Sequence, residues 1–151
     1  MWQVPPLSKD GTLRLHGTSV AFEERAVLLV GPSGSGKSSL ALQLMASGAA
    51  LICDDQVCVS KSGAGVLRVS APKTAMDLIE ARGFGLLNAD LREASCLSLI
   101  IDMGTVETER LPEYRCVEIL GETVRFIHNC DTPAFFAAVR QYLLCGEVQV
   151  T

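Results

Sequence analysis

Gly31-Pro32-Ser33-Gly34-Ser35-Gly36-Lys37-Ser38 is the stretch on which the reading of this chain turns. It follows Ala26-Val27-Leu28-Leu29-Val30, a short continuous apolar run that suits a strand buried on both faces, as in a sheet covered by helices. It leads into Ser38 to Ser47, where Leu40, Leu44 and Met45 recur at helical spacing, Ala41 and Leu42 widen the stripe, and Gly48 is placed to end the helix. Strand, G-x-x-x-x-G-K-[ST] and helix in that order make a phosphate-binding loop. Gly31, Gly34 and Gly36 let the backbone wrap an anion without Cβ clashes. The amides from Ser33 to Ser39 point inward at phosphate oxygens, and the helix presents its positive end to the same charge. Lys37 is the bridge between β- and γ-phosphates, and the Ser38 hydroxyl is a ligand for Mg²⁺. The expectation is a chain that binds ATP or a related polyphosphate through Gly31, Ser33, Gly34, Ser35, Gly36, Lys37, Ser38 and Ser39.

Outward from the loop, Leu13 to Phe22 alternates as a strand, Ala49 to Cys53 is another, and Val57 to Ser60 continues extended. Lys61 to Gly65 reads as a hairpin loop returning through Val66 to Ser70. A short helix is expected over Thr74 to Glu80, a strong strand over Leu97 to Ile101, and a hairpin from Cys116 to Ile127 about Gly121-Glu122. The last helix runs from Ala134 to Leu144 after the start signal Asp131-Thr132-Pro133, with Phe135, Ala138 and Val139 packing on the sheet. No repeat, low-complexity segment or linker interrupts this, so 1–151 reads as one α/β domain.

Composition narrows the class. The chain has 151 residues, 48% hydrophobic and 20% charged, enough to bury roughly two thirds of its unfolded surface. Thirteen basic against 17 acidic residues give −4, which argues against a nucleic-acid module and against docking on an anionic membrane. No apolar run approaches the roughly 18 residues of a membrane span, and Met1 to Pro6 lacks the features of a signal peptide. Cys53, Cys58, Cys96, Cys116, Cys130 and Cys145 form no C-x-x-C pair and have no histidine at ligand spacing. They read as reduced, mostly buried thiols of a cytoplasmic protein, without zinc.

Phosphoryl transfer needs, besides the loop, a carboxylate near the metal, a group that deprotonates the acceptor, and cationic stabilisation. Two strand-end sites compete for the carboxylate role. Leu97 to Asp102 is the better match to a generic metal-binding strand. Leu51-Ile52-Cys53-Asp54-Asp55 offers two adjacent acids that can face different partners, one toward metal and one toward a hydroxyl. Local chemistry leaves both open.

Three ordered blocks surround the loop: Leu15-His16-Gly17-Thr18, Gly48-Ala49-Ala50-Leu51-Ile52-Cys53-Asp54-Asp55-Gln56-Val57, and Leu78-Ile79-Glu80-Ala81-Arg82-Gly83-Phe84-Gly85-Leu86-Leu87. With them, from about Leu15 to Pro112, the chain resembles the catalytic domain of HPr kinase/phosphorylase, a bifunctional bacterial enzyme acting on a serine of the phosphocarrier HPr. The resemblance implies a P-loop domain of the phosphoenolpyruvate-carboxykinase-like kind, a mixed sheet flanked by helices with nucleotide at the strands' carboxyl ends. It implies ATP as substrate, Mg²⁺ at Ser38 and Glu80, and the acidic pair serving the serine hydroxyl, with Asp55 moving the proton and Asp54 and His16 tuning it. Lys37 contacts the phosphates, and Arg110 falls where the family has an arginine near the transferred phosphate. HPr or its nitrogen-branch paralogue is the implied partner, and a homo-oligomer, commonly a hexamer, the implied assembly. Phosphorolysis giving pyrophosphate is the implied reverse reaction.

Residues 113–151 depart from the family as a divergent hairpin and helix, and the whole looks similar to the shortened forms of some proteobacteria. Two other functions remain open at this point. One is a small-molecule kinase or NTPase with Asp102 as metal carboxylate; the other is a nucleotide-binding regulatory module without turnover.

Overall fold

A computed structural model describes residues 2–148. Two long strands organise it. β1 (Leu13–Phe22) pairs through Leu13–His16 with β4 (Gln56–Lys61), and through Gly17–Phe22 with β2 (Arg25–Val30). Its far half also carries β3 (Ala50–Cys53) on the other edge. β8 (Ala94–Val106) divides in the same way. Its start pairs antiparallel with β5 (Leu67–Ser70), and from Leu97 onward it runs parallel to β2. Further along it also runs parallel to β10 (Glu122–Asn129), which closes a hairpin with β9 (Cys116–Ile119). Because β4 and β5 form a hairpin, β2, β1, β4, β5 and β8 close into a ring of strands.

The ring flattens into two packed sheets, and each apolar face of the alternating strands finds a cover. Between the sheets lie Leu13, Leu15, Val57, Val59 and Val69 against Leu28, Val30, Ile100 and Phe126. On the opposite face of the larger sheet, Val27, Leu29, Leu99 and Ile101 pack against Leu40 and Leu44 of α1 (Lys37–Ala46). Val139 and Leu143 of α2 (Phe135–Cys145) join the same layer. Each such side chain taken fully from water contributes about 1.5–3 kcal/mol before entropy is charged against it. β2 is thus buried on both faces, as its apolar run requires, but helices cover only one of them; the other cover is a second sheet.

Other expectations meet corrections. Thr74 to Glu80 forms no helix: residues 71–77 are irregular, with a turn at Lys73-Thr74 and a bend at Asp77, and Leu78–Ala81 is β6, which pairs with β7 (Gly85–Asn88). The turn at Arg82-Gly83-Phe84 gives Leu78 to Ala81 a pairing partner that a single helical turn would lack. Asp102 does not end its strand, since β8 continues to Val106. In α2, Ala138 faces outward, and Leu143 takes the buried position beside Val139. The cysteines are all free, yet Cys53 alone is buried, while Cys116 and Cys145 are exposed.

Candidate active site

β2 ends at Val30 and the chain turns over Gly31, Gly34 and Gly36, which hold φ of 138°, 82° and 98°. That left-handed backbone is accessible to glycine at little cost. α1 then begins with no side-chain cap and no acidic residue in its first turn. Its orphan amides and positive dipole end are left for an anion. Lys37 is buried and folds back on the loop, donating to the carbonyls of Gly31 at 2.8 Å and Pro32 at 2.9 Å. Burial lowers its pKa below the ordinary lysine value, against the pull of Asp54 and Asp55 in the other direction. An ammonium so placed needs only to exchange two carbonyl oxygens for phosphate oxygens. The Ser35 hydroxyl is buried and unpartnered inside the same loop.

The loop forms one wall of a cleft of about 740 Å³, into which Ser33, Gly34, Gly36, Lys37, Ser38 and Ser39 all face. Gly31 and Ser35 shape the loop from behind and do not line it. The floor comes from the switch point of β1 and from the end of β3: His16, Thr18, Cys53, Asp54 and Asp55. The third wall is the 72–76 loop with Glu80, Arg82 and Leu86 of the β6–β7 hairpin. Arg110 stands exposed on the segment after β8 and does not line this cleft.

The two aspartates part company. Asp54 turns inward: Ser38 Oγ donates to it, 3.0 Å from Oδ1 and 3.3 Å from Oδ2. Thr18 Oγ1 donates to Oδ1 at 2.8 Å, and the Glu80 amide to Oδ2 at 3.2 Å. Asp55 turns outward, its side chain 79% exposed, with His16 Nε2 at 2.9 Å from Oδ1. It holds φ of 83°, a left-handed backbone uncommon for a residue with a side chain, and its carbonyl accepts from the Gly17 amide at 2.9 Å. The structure therefore brings together Lys37 and Ser38 of α1, His16 of β1, Glu80 of β6, and Asp54 and Asp55 of the turn between β3 and β4.

Asp102 lies elsewhere and is spoken for. It is 2% exposed, beside Val30 and His128 in the sheet. It accepts from the Trp2 amide at 3.1 Å, the Gly104 amide at 2.9 Å and Thr105 Oγ1 at 2.9 Å. Burial opposes its ionisation, but these donors and nearby His128 leave its pKa below the ordinary carboxylate value. Ser38 bonds to Asp54, so the carboxylate that lies against the loop serine is the one at the end of β3. Cys53 lines the cleft as a buried thiol pushed up to about 11, chiefly by burial, and is protonated at neutral pH.

The oxygen-rich set of Ser38, Asp54 and Glu80 fits a hard cation. Among the described residues no three His, Cys, Asp or Glu side chains gather tightly enough to cage a metal. Mg²⁺ keeps several waters and borrows phosphate oxygens, and oxygen donors of this kind are the ones it takes from a protein. Sequence reading missed Thr18 as a site residue and missed the amide of Glu80. Thr18 lay in a quoted block, but nothing local to it signals a partner 36 residues away.

Comparison with known proteins bears on the family and the fold. A family model described as the HPr Serine kinase C-terminal domain matches residues 9–126. The match runs beyond Pro112, where the resemblance seen in the residues stopped, through β9 and into β10. Curated relatives named HPr kinase/phosphorylase include one from Aromatoleum aromaticum, 35% identical over 125 residues, covering 74% of this chain and 40% of its own. Another, from Caldanaerobacter subterraneus subsp. tengcongensis, is 30% identical over 135 residues, covering 85% and 43%. One from Bordetella pertussis is 40% identical over 77 residues, covering 51% and 25%. The chain thus spans less than half the length of these curated relatives. A solved structure titled as the Hpr(Ser) kinase/phosphatase from Coxiella burnetii superimposes with a TM-score of 0.70 at 24% identity, covering 87% of this chain and 90% of that one. The fold is shared with that protein.

Proposed function

We infer the function of this chain from one premise: it belongs to the HPr serine kinase C-terminal domain family, whose model matches residues 9–126. The reading is an ATP- and Mg²⁺-dependent protein-serine kinase acting on the phosphocarrier HPr or its nitrogen-branch paralogue. One observation carries it. Two adjacent aspartates face one cleft and are held by different partners, Asp54 by the loop serine and Asp55 by a histidine.

The roles follow from those partners. The loop amides and Lys37 hold the polyphosphate and offset its charge. Ser38, which donates to Asp54, and Glu80 would hold Mg²⁺, which would supply further neutralisation of the phosphate oxygens. Asp54 has its oxygens engaged by three donors and offers none of them freely to an acceptor serine. Asp55, exposed and free on one oxygen, takes the proton of the acceptor serine as that oxygen attacks the γ-phosphorus and the bond to ADP breaks. His16 Nε2–H, donating to the other oxygen, keeps the carboxylate turned to the cleft. In the reverse sense Asp55 returns the proton to the serine oxygen while inorganic phosphate takes the phosphoryl group, giving pyrophosphate. Arg110 enters this scheme only by family likeness. A cytoplasmic location and a homo-oligomer go with the same likeness.

Intact-mass analysis of HPr after incubation with this chain, ATP and Mg²⁺ tests the reading. One phosphate adduct mapping to serine, lost with Lys37→Ala, is expected. ATP binding without an adduct on either carrier would overturn it.

A further inference from the structure

Thr18 and Ser19 are adjacent, both 0% exposed, and point to opposite sides of β1. Ser19 Oγ donates to the Val27 carbonyl at 2.8 Å, the ordinary fate of a buried hydroxyl. Thr18 Oγ1 instead gives its proton to Asp54 Oδ1 at 2.8 Å, within the cleft. Asp54 is the acceptor that orients Ser38, and it is clamped from three directions: β1 through Thr18, α1 through Ser38, and β6 through the Glu80 amide.

We propose that Thr18 is a positioning residue for the divalent-cation site: its hydroxyl fixes the Asp54 carboxylate so that Ser38, donating to that carboxylate, turns its lone pairs to the cation. The inference rests on the reading of the loop as a Mg²⁺–nucleotide site and assigns that site a residue beyond its ligands. A hydroxyl has one proton. With that proton committed to Asp54, both lone pairs of Ser38 Oγ face the cleft. A carboxylate free to rotate would let the serine proton swing toward the cation, where it repels. Oδ1 carries two of the clamping bonds, and Thr18 makes the shorter. Residues that orient a metal's ligands in this way typically account for about 10–100-fold in metal affinity.

The test reads metal directly. Mn²⁺ is titrated, by loss of the free-ion electron paramagnetic resonance signal, into protein saturated with a non-hydrolysable ATP analogue. Thr18→Val should weaken Mn²⁺ binding about 10–100-fold, leave metal-free nucleotide affinity unchanged, and be rescued by Thr18→Ser. Thr18→Ala, which adds no bulk, gives the same comparison if the valine variant does not fold. Mn²⁺ affinity unchanged in these variants, or a serine variant as weak as the valine one, would overturn the proposal. A wild-type chain that binds the nucleotide analogue but takes up no Mn²⁺ at the site would overturn it as well. Failure of the underlying reading looks different: wild type would bind no nucleotide at all.

Discussion

Asp54 and Asp55 are covalent neighbours with opposite environments, and the backbone between them explains the division. The left-handed conformation at Asp55 turns its side chain out of the alternation that buries β3 and aims it at His16, while Asp54 stays among inward donors. The pair was legible in the sequence as two acids leaving a strand; which acid took which partner was not, because the left-handed backbone at Asp55 and its bond from the Gly17 amide belong to the meeting of β1 with the β3–β4 turn, not to the local sequence. Asp102 teaches the converse. Its apolar strand made it the stronger local match, yet its oxygens serve Trp2, Gly104 and Thr105. Its pKa is held below the usual carboxylate range, so it contributes stability above the unfolded carboxylate pKa. That contribution is lost as pH falls through the lower folded value. Asp102→Asn should therefore lower stability at neutral pH and flatten its fall in acid, while nucleotide binding persists. Denaturant midpoints measured across acid pH check this; a parallel acid limb in both proteins would contradict it.

Elements position these residues through two close approaches. β1 changes partners from β4 to β2 at Gly17, where an added Cβ would stand 2.8 Å from the Leu29 carbonyl oxygen. A backbone atom cannot yield as a side chain can. Gly17→Ala should cost about 1–3 kcal/mol and separate His16 from Asp55, lowering transfer more than ATP affinity; equal wild-type stability and transfer would count against the switch point. α1 is seated by Leu44, fully buried against the larger sheet. Leu44→Ala should cost about 2–5 kcal/mol, read as a lower denaturant midpoint. β2, the loop and α1 were legible because strand period, glycine spacing and helical stripe agree over contiguous residues. β6 was not, since Leu78, Ile79 and Ala75 also fit a helical turn, and only pairing with β7 decides between them. The full length of β8 was hidden for a related reason: Ala94–Cys96 and Met103–Val106 are strand because neighbours on the sheet pair with them or continue their register.

At the scale of the molecule, the cleft sits where the two sheets diverge, with the phosphate loop on one lip and the β6–β7 hairpin on the other. Alternation in the strands announced an α/β domain, but not that the second cover of β2 would be a sheet, because apolar runs record burial and not what buries them. No helix among the described residues is long and apolar enough to cross a membrane. The central claim is that a protein serine loses its proton to Asp55 while Asp54 holds the metal side. Single-turnover phosphoryl transfer to HPr by wild type and Asp55→Asn, with ATP affinity measured on the same samples, tests it most directly. A fall of about 10²–10⁴-fold in transfer at unchanged ATP affinity is the predicted result; near-normal transfer by Asp55→Asn would contradict the claim.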